Sequence, residues 1–137
     1  MKMLPQMWKT KILLIDDDHW IRDSLCMFFE SEECHIRACQ TAEEGLEALK
    51  HATYDVMIVD YHLPGMDGLE FFSRIREHST EVIKVIITAY KTDTAISRAQ
   101  ESGIHALIEK PFTADTIVTL LRRLQQNKRQ ESEFICA

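Results

Sequence analysis

The fold of this chain follows from the stretch Val56-Met57-Ile58-Val59-Asp60-Tyr61-His62-Leu63-Pro64-Gly65. Four apolar residues lead directly to the carboxylate of Asp60, and turn-forming residues follow it at once. A short apolar run bounded in this way is typical of a strand that is buried on both faces of a parallel sheet. Asp60 is then expected at the carboxyl end of the strand, where open α/β sheets bind their ligands.

The same alternation of strand and helix extends in both directions along the chain. Strands are predicted at residues 11–15, 34–39, 56–60, 82–88 and 106–109. After each strand, apolar residues recur at the spacing of a helix with one buried face. They are Ile21, Leu25, Phe28 and Phe29; Ala42, Gly45, Leu46 and Leu49; Leu69, Phe72 and Ile75; Ala95, Ile96 and Ala99; and Ile117, Leu120, Leu121 and Leu124. Five βα units predict an α/β fold, a flavodoxin-like three-layer sandwich around a five-stranded doubly wound parallel sheet of order 2-1-3-4-5.

Polar residues ahead of the helices predict where they begin. Asp18 precedes the first helix, the stretch Thr41-Ala42-Glu43-Glu44 has the capping-box pattern of the second, and Thr113 precedes the last. The third helix is predicted over 67–77. The fourth, over 93–102, has the thinnest apolar stripe and is therefore predicted to be the least firmly held.

Composition limits the class of protein. At 137 residues the chain is long enough for one domain with its own core. With 22 acidic against 16 basic residues, the formal charge of -6 argues against direct nucleic-acid binding. No apolar run reaches membrane-spanning length, and the start of the chain does not have the pattern of a secretion signal. We expect a leader at residues 1–10, one domain at 11–126, and a polar tail or truncated linker at 127–137.

The four cysteines show neither paired spacing nor the spacing of a zinc site. They are Cys26, Cys34, Cys39 and Cys136. We interpret them as small apolar residues of a cytoplasmic protein, because a reducing compartment keeps thiols free.

Charged and polar side chains are predicted to meet at the carboxyl edge of the sheet. The first strand ends at Asp16 and Asp17, the third at Asp60, the fourth at Thr88 and the fifth at Lys110. Carboxylates gathered at one edge repel each other and favour a bound cation, and ligands that are all oxygen favour Mg²⁺. A lysine and a hydroxyl at the same edge suit the oxygens of a phosphoryl group. The set indicates a carboxylate nucleophile that accepts a phosphoryl group.

A single aspartate after a strand is more often a helix cap or a turn residue, so the inference depends on all the strand ends together. With these residues in place, the sequence resembles a receiver domain of bacterial two-component response regulators. The resemblance covers residues 11–126. Its matching stretches are 12–18, 60–68, 86–90 and Lys110-Pro111-Phe112.

The resemblance implies a role for each residue at the edge. Asp60 corresponds to the phosphoacceptor, which receives its phosphoryl group from a phosphohistidine or a small acyl phosphate. Asp17 and Asp60 would bind Mg²⁺ directly, Asp16 partly through water, and the backbone carbonyl of His62 would complete the set. Lys110 would pair with the phosphoryl oxygens.

The resemblance also implies how the site changes on phosphorylation. Thr88 would swing its hydroxyl toward the phosphoryl group, and the Lys110–Pro111 bond is expected to be cis. His62 and Tyr90 stand at the positions that tune removal of the phosphoryl group by water. The family usually has an aromatic residue three positions before the lysine, where this chain has Leu107, so the usual aromatic switch is in doubt.

The implied partners are a sensor histidine kinase or phosphotransfer protein, and an output domain or partner protein. The chain is then a stand-alone receiver or one piece of a longer regulator. The family usually docks partners or dimerises through the fourth helix, fifth strand and fifth helix, and dimerisation is left open here.

Two other classes of function compete. Asp16-x-Asp18 also has the form of the haloacid-dehalogenase phosphatase motif, although Trp20 stands where that motif expects threonine or valine. The third class is a receiver-like binding module that is never phosphorylated, which Leu107 keeps open.

Overall fold

The computed structural model describes residues 9–75, 82–126 and 134–137. Its strands are β1 Lys11–Ile15, β2 His35–Cys39, β3 Val56–Asp60, β4 Ile83–Thr88, β5 Ala106–Glu109 and β6 Ile135–Cys136. Its helices are α1 His19–Ser31, α2 Ala42–Leu49, α3 Gly68–Arg74, α4 Asp93–Glu101 and α5 Ala114–Gln126. The predicted end of the third helix, at residue 77, lies outside the described residues. No described helix is long and apolar enough to cross a membrane.

All strands pair in parallel in the order β2-β1-β3-β4-β5-β6. The predicted doubly wound sheet and its 2-1-3-4-5 order are confirmed, and β3 occupies an interior position with β1 and β4 as neighbours. The strand count differs, because the structure adds β6 beside β5. With only two residues, β6 is too short to show a hydrophobic period, which explains why the sequence pattern did not reveal it.

β6 closes part of an exposed sheet edge. Ile135 N–H donates to the carbonyl of His105 at 3.0 Å, and Ala137 N–H donates to that of Leu107 at 2.8 Å. Pairing of this kind satisfies backbone groups that an edge strand would otherwise leave open. The predicted leader at 1–10 and tail at 127–137 lie mostly outside the described residues, so these domain boundaries stay predictions.

β3 is buried along its whole length between two apolar layers. Val56 and Ile58 face the layer formed with α1 and α5, while Met57 and Val59 face the layer formed with α2, α3 and α4. Burial of each such side chain contributes about 1.5–3 kcal/mol, so the strand that ends at Asp60 is firmly fixed. This double burial is why the sequence of β3 is apolar throughout rather than alternating.

The predicted helix starts are present, with one variation. The Asp18 carboxylate accepts from Trp20 N–H at 2.9 Å, and the Thr113 hydroxyl accepts from Thr116 N–H at 3.3 Å. The Thr41 hydroxyl accepts from the backbone N–H of Glu44 at 3.1 Å, as in a capping box. The Glu44 carboxylate, however, accepts from the N–H that precedes Thr41, at 3.0 Å.

Gly68 lets the start of α3 approach the end of β3. A Cβ at this position would collide with the backbone carbonyl of Asp60 and lie 3.0 Å from the Ile86 side chain. The Gly68 N–H donates to the Tyr61 carbonyl at 3.0 Å, which holds the same approach. A glycine is therefore needed here for close packing.

We expect Gly68→Ala to lower the free energy of unfolding by about 2 kcal/mol, because the backbone must move away from the new methyl group. Gly103→Ala is the matched control. Its φ of 75° strains an alanine, but no atom lies within 4 Å of a new Cβ. That variant should lose about 1 kcal/mol. Urea unfolding of both variants tests the difference, and an equal or smaller loss for Gly68→Ala contradicts the packing argument.

His105 makes folding stability depend on pH. Its Nδ1 accepts from Lys84 N–H at 2.9 Å, and burial together with the charge of Lys84 lowers the pKa of the imidazole below its ordinary value. A lowered folded pKa means that the unfolded chain binds the proton more readily. The stabilisation is therefore present above the unfolded pKa of about 6.5 and is lost as the pH falls.

We expect wild type to lose more unfolding free energy than His105→Asn between pH 7.5 and pH 5.5. All other groups titrate in both proteins, so the difference isolates His105. Urea unfolding across this range measures it, and parallel curves for the two proteins refute the assignment.

Candidate functional site

Four strand ends bring the predicted site residues together. Asp16 follows β1, Asp60 ends β3, Thr88 ends β4 and Lys110 follows β5. Asp16 and Thr88 are fully buried and Asp60 is 5% exposed. Because the strands are parallel, these side chains share one edge of the sheet, as the sequence predicts.

Three carboxylates form the acidic part of the site. Asp16, Asp17 and Asp60 each offer one oxygen, and these oxygens lie within 4.8 Å of one another. Backbone donors orient two of the groups, since Asp18 N–H donates to Asp16 Oδ1 at 2.9 Å and His62 N–H donates to Asp60 Oδ1 at 3.3 Å. Asp17 is exposed, so one side of the cluster opens to solvent.

Lys110 lies between the two buried carboxylates. Its Nζ is 3.0 Å from Asp16 Oδ2 and 3.2 Å from Asp60 Oδ2. The contact with Asp60 is also a hydrogen bond, whereas the contact with Asp16 is an ion pair without hydrogen-bond alignment. Among the described residues, Asp16 Oδ2 is thus a buried oxygen with no hydrogen-bond donor.

The donor set of this cluster fits a hard divalent cation. All candidate ligands are carboxylate oxygens, which is the preference of Mg²⁺ rather than of zinc or copper. A cation would also satisfy the buried oxygen of Asp16 that lacks a hydrogen bond. The residues present therefore fit the predicted magnesium site.

Burial and like charge act on the carboxyl group of Asp16. Burial, to which the charge of Asp60 adds, raises its pKa to about 6 against the opposing effects of the Asp18 N–H and Lys110. For Lys110, burial alone lowers the pKa. The close ion pair with Asp16 and the charge of Asp60 outweigh burial, so the pKa of Lys110 is raised and the ammonium keeps its proton at neutral pH.

The loop after β4 holds the hydroxyl of Thr88. Thr88 Oγ1 donates to the carbonyl of Tyr90 and accepts from its N–H, both at 3.2 Å. Farther along, Lys91 N–H donates to the Glu109 carboxylate at 2.9 Å. The Tyr90 side chain is itself 70% exposed.

The peptide bond between Lys110 and Pro111 is cis, as expected. The backbone N–H of Lys110 donates to the carbonyl of Thr88 at 2.7 Å, which joins the ends of β4 and β5. His62 is exposed directly after Tyr61, and the role of its carbonyl stays a prediction.

Leu107 is fully buried within β5. It packs in the apolar layer formed with α2, α3 and α4. The position that would hold an aromatic switch residue in the family thus holds a packed aliphatic side chain.

Sequence reasoning missed one polar contact near the site. Arg98 of α4 donates from Nη1 to the hydroxyl of Tyr61 at 2.6 Å, and its Nη2 lies 3.9 Å from Asp67 Oδ2. The one available signal was the position of Tyr61 directly after Asp60, because nothing in the helical pattern distinguishes Arg98.

The phosphatase alternative depends on a catalytic role for Asp18. Its Oδ1 accepts from Trp20 N–H, so the side chain caps α1. The described acidic cluster contains Asp16, Asp17 and Asp60 instead. The geometry therefore favours a nucleophile on β3 over one on β1.

Comparison with known proteins agrees with this geometry. Residues 12–122 match the family described as the response regulator receiver domain. The chain is 33% identical over 128 residues to the transcriptional regulatory protein SrrA of Staphylococcus aureus, with 90% of this chain and 53% of that protein covered. The chain thus spans about half the length of the curated relatives it matches.

Solved structures show the same fold. A CheY-like response regulator receiver domain protein from Methanospirillum hungatei aligns with a TM-score of 0.82 at 24% identity, over 89% of this chain and 98% of that one. The BeF3-activated DrrB receiver domain gives 0.77 at 23% identity, over 88% and 98%. A two-component response regulator from Clostridium difficile gives 0.76 at 28% identity, over 83% and 97%.

Three observations point to the same family. They are the match over most of the chain, the shared fold, and the sheet edge at which Asp60 meets Lys110. The chain belongs to the response regulator receiver domain family, the signalling phosphoacceptors of two-component systems.

Proposed function

We propose that Asp60 accepts a phosphoryl group from the phosphohistidine of a sensor kinase or phosphotransfer protein in a Mg²⁺-dependent reaction. The observation that carries the proposal is the position of Lys110, 3.2 Å from Asp60 and 3.0 Å from Asp16 at the end of a buried sheet. A cation that neutralises two carboxylates in this way is also placed to meet phosphoryl oxygens on Asp60.

The metal would be held by Asp17 and Asp60 directly, by Asp16 partly through water, and by the backbone carbonyl of His62. The clustered carboxylate oxygens and the buried oxygen of Asp16 support this assignment. Bound Mg²⁺ would supply positive charge to the oxygens of the transferred group.

In the transfer, a carboxylate oxygen of Asp60 forms a bond to phosphorus. The bond from phosphorus to the histidine nitrogen breaks, and its electron pair returns to the imidazole. Lys110 neutralises charge on the phosphoryl oxygens. The Thr88 hydroxyl leaves the carbonyl of Tyr90 and donates to the phosphoryl group instead, which draws the loop after β4 toward the site.

Removal of the phosphoryl group by water would be tuned from the two loops that border the site. His62 is exposed two residues after Asp60, and Tyr90 is exposed two residues after Thr88. Their exposure and their positions two residues after Asp60 and Thr88 support this role, in which the side chains would limit or order the approach of water to phosphorus.

Response regulators act between a histidine kinase and an output, and the relatives of this chain are longer than the chain. We infer that this chain is phosphorylated in the cytoplasm, and that it controls an output domain or partner protein through its surface. The family's dimerisation surface includes β5, whose edge here pairs with β6.

We expect a small acyl phosphate with Mg²⁺ to add one phosphoryl group to wild type, and Asp60→Asn to remove this uptake, because the amide is no nucleophile. Asp55→Asn is the matched control, since Asp55 lies at the other end of the same strand and accepts from Lys11 N–H. Intact mass of the three proteins gives the answer. Uptake in Asp60→Asn equal to that of the control would overturn the proposed function.

We expect Asp16→Asn to stabilise the metal-free protein at pH 7 and to weaken its response to Mg²⁺. The folded pKa of about 6 lies above the ordinary 3.8. The stability that the protonated Asp16 carboxyl group contributes is therefore present below pH 3.8, is lost as the pH rises through 6, and is absent at pH 7. Asparagine removes the charge, which should raise the unfolding free energy by about 2 kcal/mol.

Urea unfolding at pH 7 and pH 4, with and without Mg²⁺, measures both effects. Asp17→Asn is the control, because this exposed group should lose the Mg²⁺ response without the gain in stability. The gain for Asp16→Asn should shrink at pH 4, where wild type is itself protonated. A loss of stability for Asp16→Asn at pH 7 would show that the charge of Asp16 does not destabilise the metal-free fold.

A further inference from the structure

The guanidinium group of Arg98 joins α4 to the loop that follows Asp60. Arg98 Nη1 donates to the Tyr61 hydroxyl at 2.6 Å, and its Cζ lies 5.7 Å from the centre of the Tyr61 ring. Arg98 Nη2 lies 3.9 Å from the carboxylate of Asp67, which caps α3. One side chain of α4 therefore contacts both ends of the loop between β3 and α3.

Tyr61 is held rigidly beside Asp60. The residue is 8% exposed and its side chain packs in the layer formed with α2, α3 and α4. Its N–H donates to the carbonyl of Ile87 at 2.8 Å, and its carbonyl accepts from Gly68 N–H at 3.0 Å. Because Ile87 precedes Thr88, the backbone of Tyr61 links the ends of β3 and β4.

Apolar contact holds α4 only weakly. Its buried side chains are the two alanines Ala95 and Ala99. An alanine methyl buries far less apolar area than leucine or phenylalanine, so its contribution is about 0.8 kcal/mol at most. The hydrogen bond to Tyr61, worth about 1 kcal/mol, is thus comparable in size to either alanine contact.

The position of the family's aromatic switch residue is occupied here by Leu107 of β5, which has no polar group. The side chain is fully buried and aliphatic, so it has no hydroxyl with which to form or break a hydrogen bond. Tyr61 lies in the same apolar layer and does have such a hydroxyl, already bound to α4.

We propose that the hydrogen bond between Tyr61 and Arg98 couples phosphorylation of Asp60 to the position of α4. This coupling rests on the proposed phosphoacceptor function and specifies how phosphorylation of Asp60 would reach α4. A phosphoryl group takes over the contacts of Asp60 with His62 N–H and Lys110, so the backbone at Tyr61 shifts. The Tyr61 hydroxyl moves with it, and Arg98 either follows with α4 or releases it. Tyr61 and Arg98 are positioning residues and take no part in the transfer.

The test is amide hydrogen exchange of residues 93–101, measured by NMR with and without Mg²⁺ and beryllium fluoride, an analogue of the phosphoryl group on aspartate. Wild type should change its exchange in α4 by about fivefold, the factor expected for one hydrogen bond. Tyr61→Phe keeps the ring and removes the hydroxyl, and Arg98→Gln removes the guanidinium. Both variants should change by less than about twofold in α4, while amides around Thr88 still respond.

Two control variants make the same chemical changes elsewhere. Tyr54→Phe removes a hydroxyl from another tyrosine packed against the same layer, and Arg74→Gln removes an exposed arginine that pairs with Glu70 at 3.7 Å. Both should keep the wild-type response of α4.

The outcomes separate this inference from the proposed function. An α4 response that survives in Tyr61→Phe overturns the inference, as does a wild type that responds around Thr88 but not in α4. Either result leaves the phosphoacceptor assignment standing. Absence of any response in wild type overturns the proposed function, and the inference fails with it.

Discussion

Negative charge concentrated at one buried sheet edge is the constraint on which the site depends. Asp16 and Asp60 are almost fully buried, and Asp17 adds a third carboxylate within 4.8 Å. Unpaired charges of one sign in this environment would destabilise the fold by several kcal/mol. The Lys110 ammonium offsets part of this cost, and the raised pKa of Asp16 shows that it does not offset all of it. The edge therefore favours any ligand that brings further positive charge.

The surrounding fold offsets the cost of burying these like charges. β3 is buried on both faces and pairs with β1 and β4, so the position of Asp60 is set by the apolar layers rather than by its own interactions. Gly68 then brings the start of α3 against the Asp60 carbonyl. A core of this kind supplies the free energy that the site consumes, which is how many proteins maintain reactive groups in unfavourable surroundings.

The parts of the structure that follow from local rules were predictable from sequence. The double burial of β3 shows in four consecutive apolar residues, and the meeting of Asp16, Thr88 and Lys110 follows from parallel pairing alone. β6 was not predictable, because two residues carry no period and their pairing depends on the open edge of β5. The contact between Tyr61 and Arg98 was hidden for a related reason. It joins residues 37 positions apart, and the spacing of polar residues on α4 says nothing about a partner on another element.

The free energy of the hydrogen bond between Tyr61 and Arg98 limits how far it can shift the equilibrium between two positions of α4. A hydrogen bond from a partly exposed arginine contributes about 1 kcal/mol, which shifts an equilibrium between two positions of α4 by about fivefold. Coupling between sites is reciprocal, so a partner that prefers the shifted α4 must stabilise the phosphoryl group on Asp60 by the same factor. A switch of this size is far from all-or-none, because moving a population from one state almost fully to the other takes about 5.5 kcal/mol. In a full switch the remaining free energy would have to come from contacts between α4 and a partner. If the coupling proposed above holds, an output from a chain with leucine at position 107 would depend on what binds α4 as much as on phosphorylation.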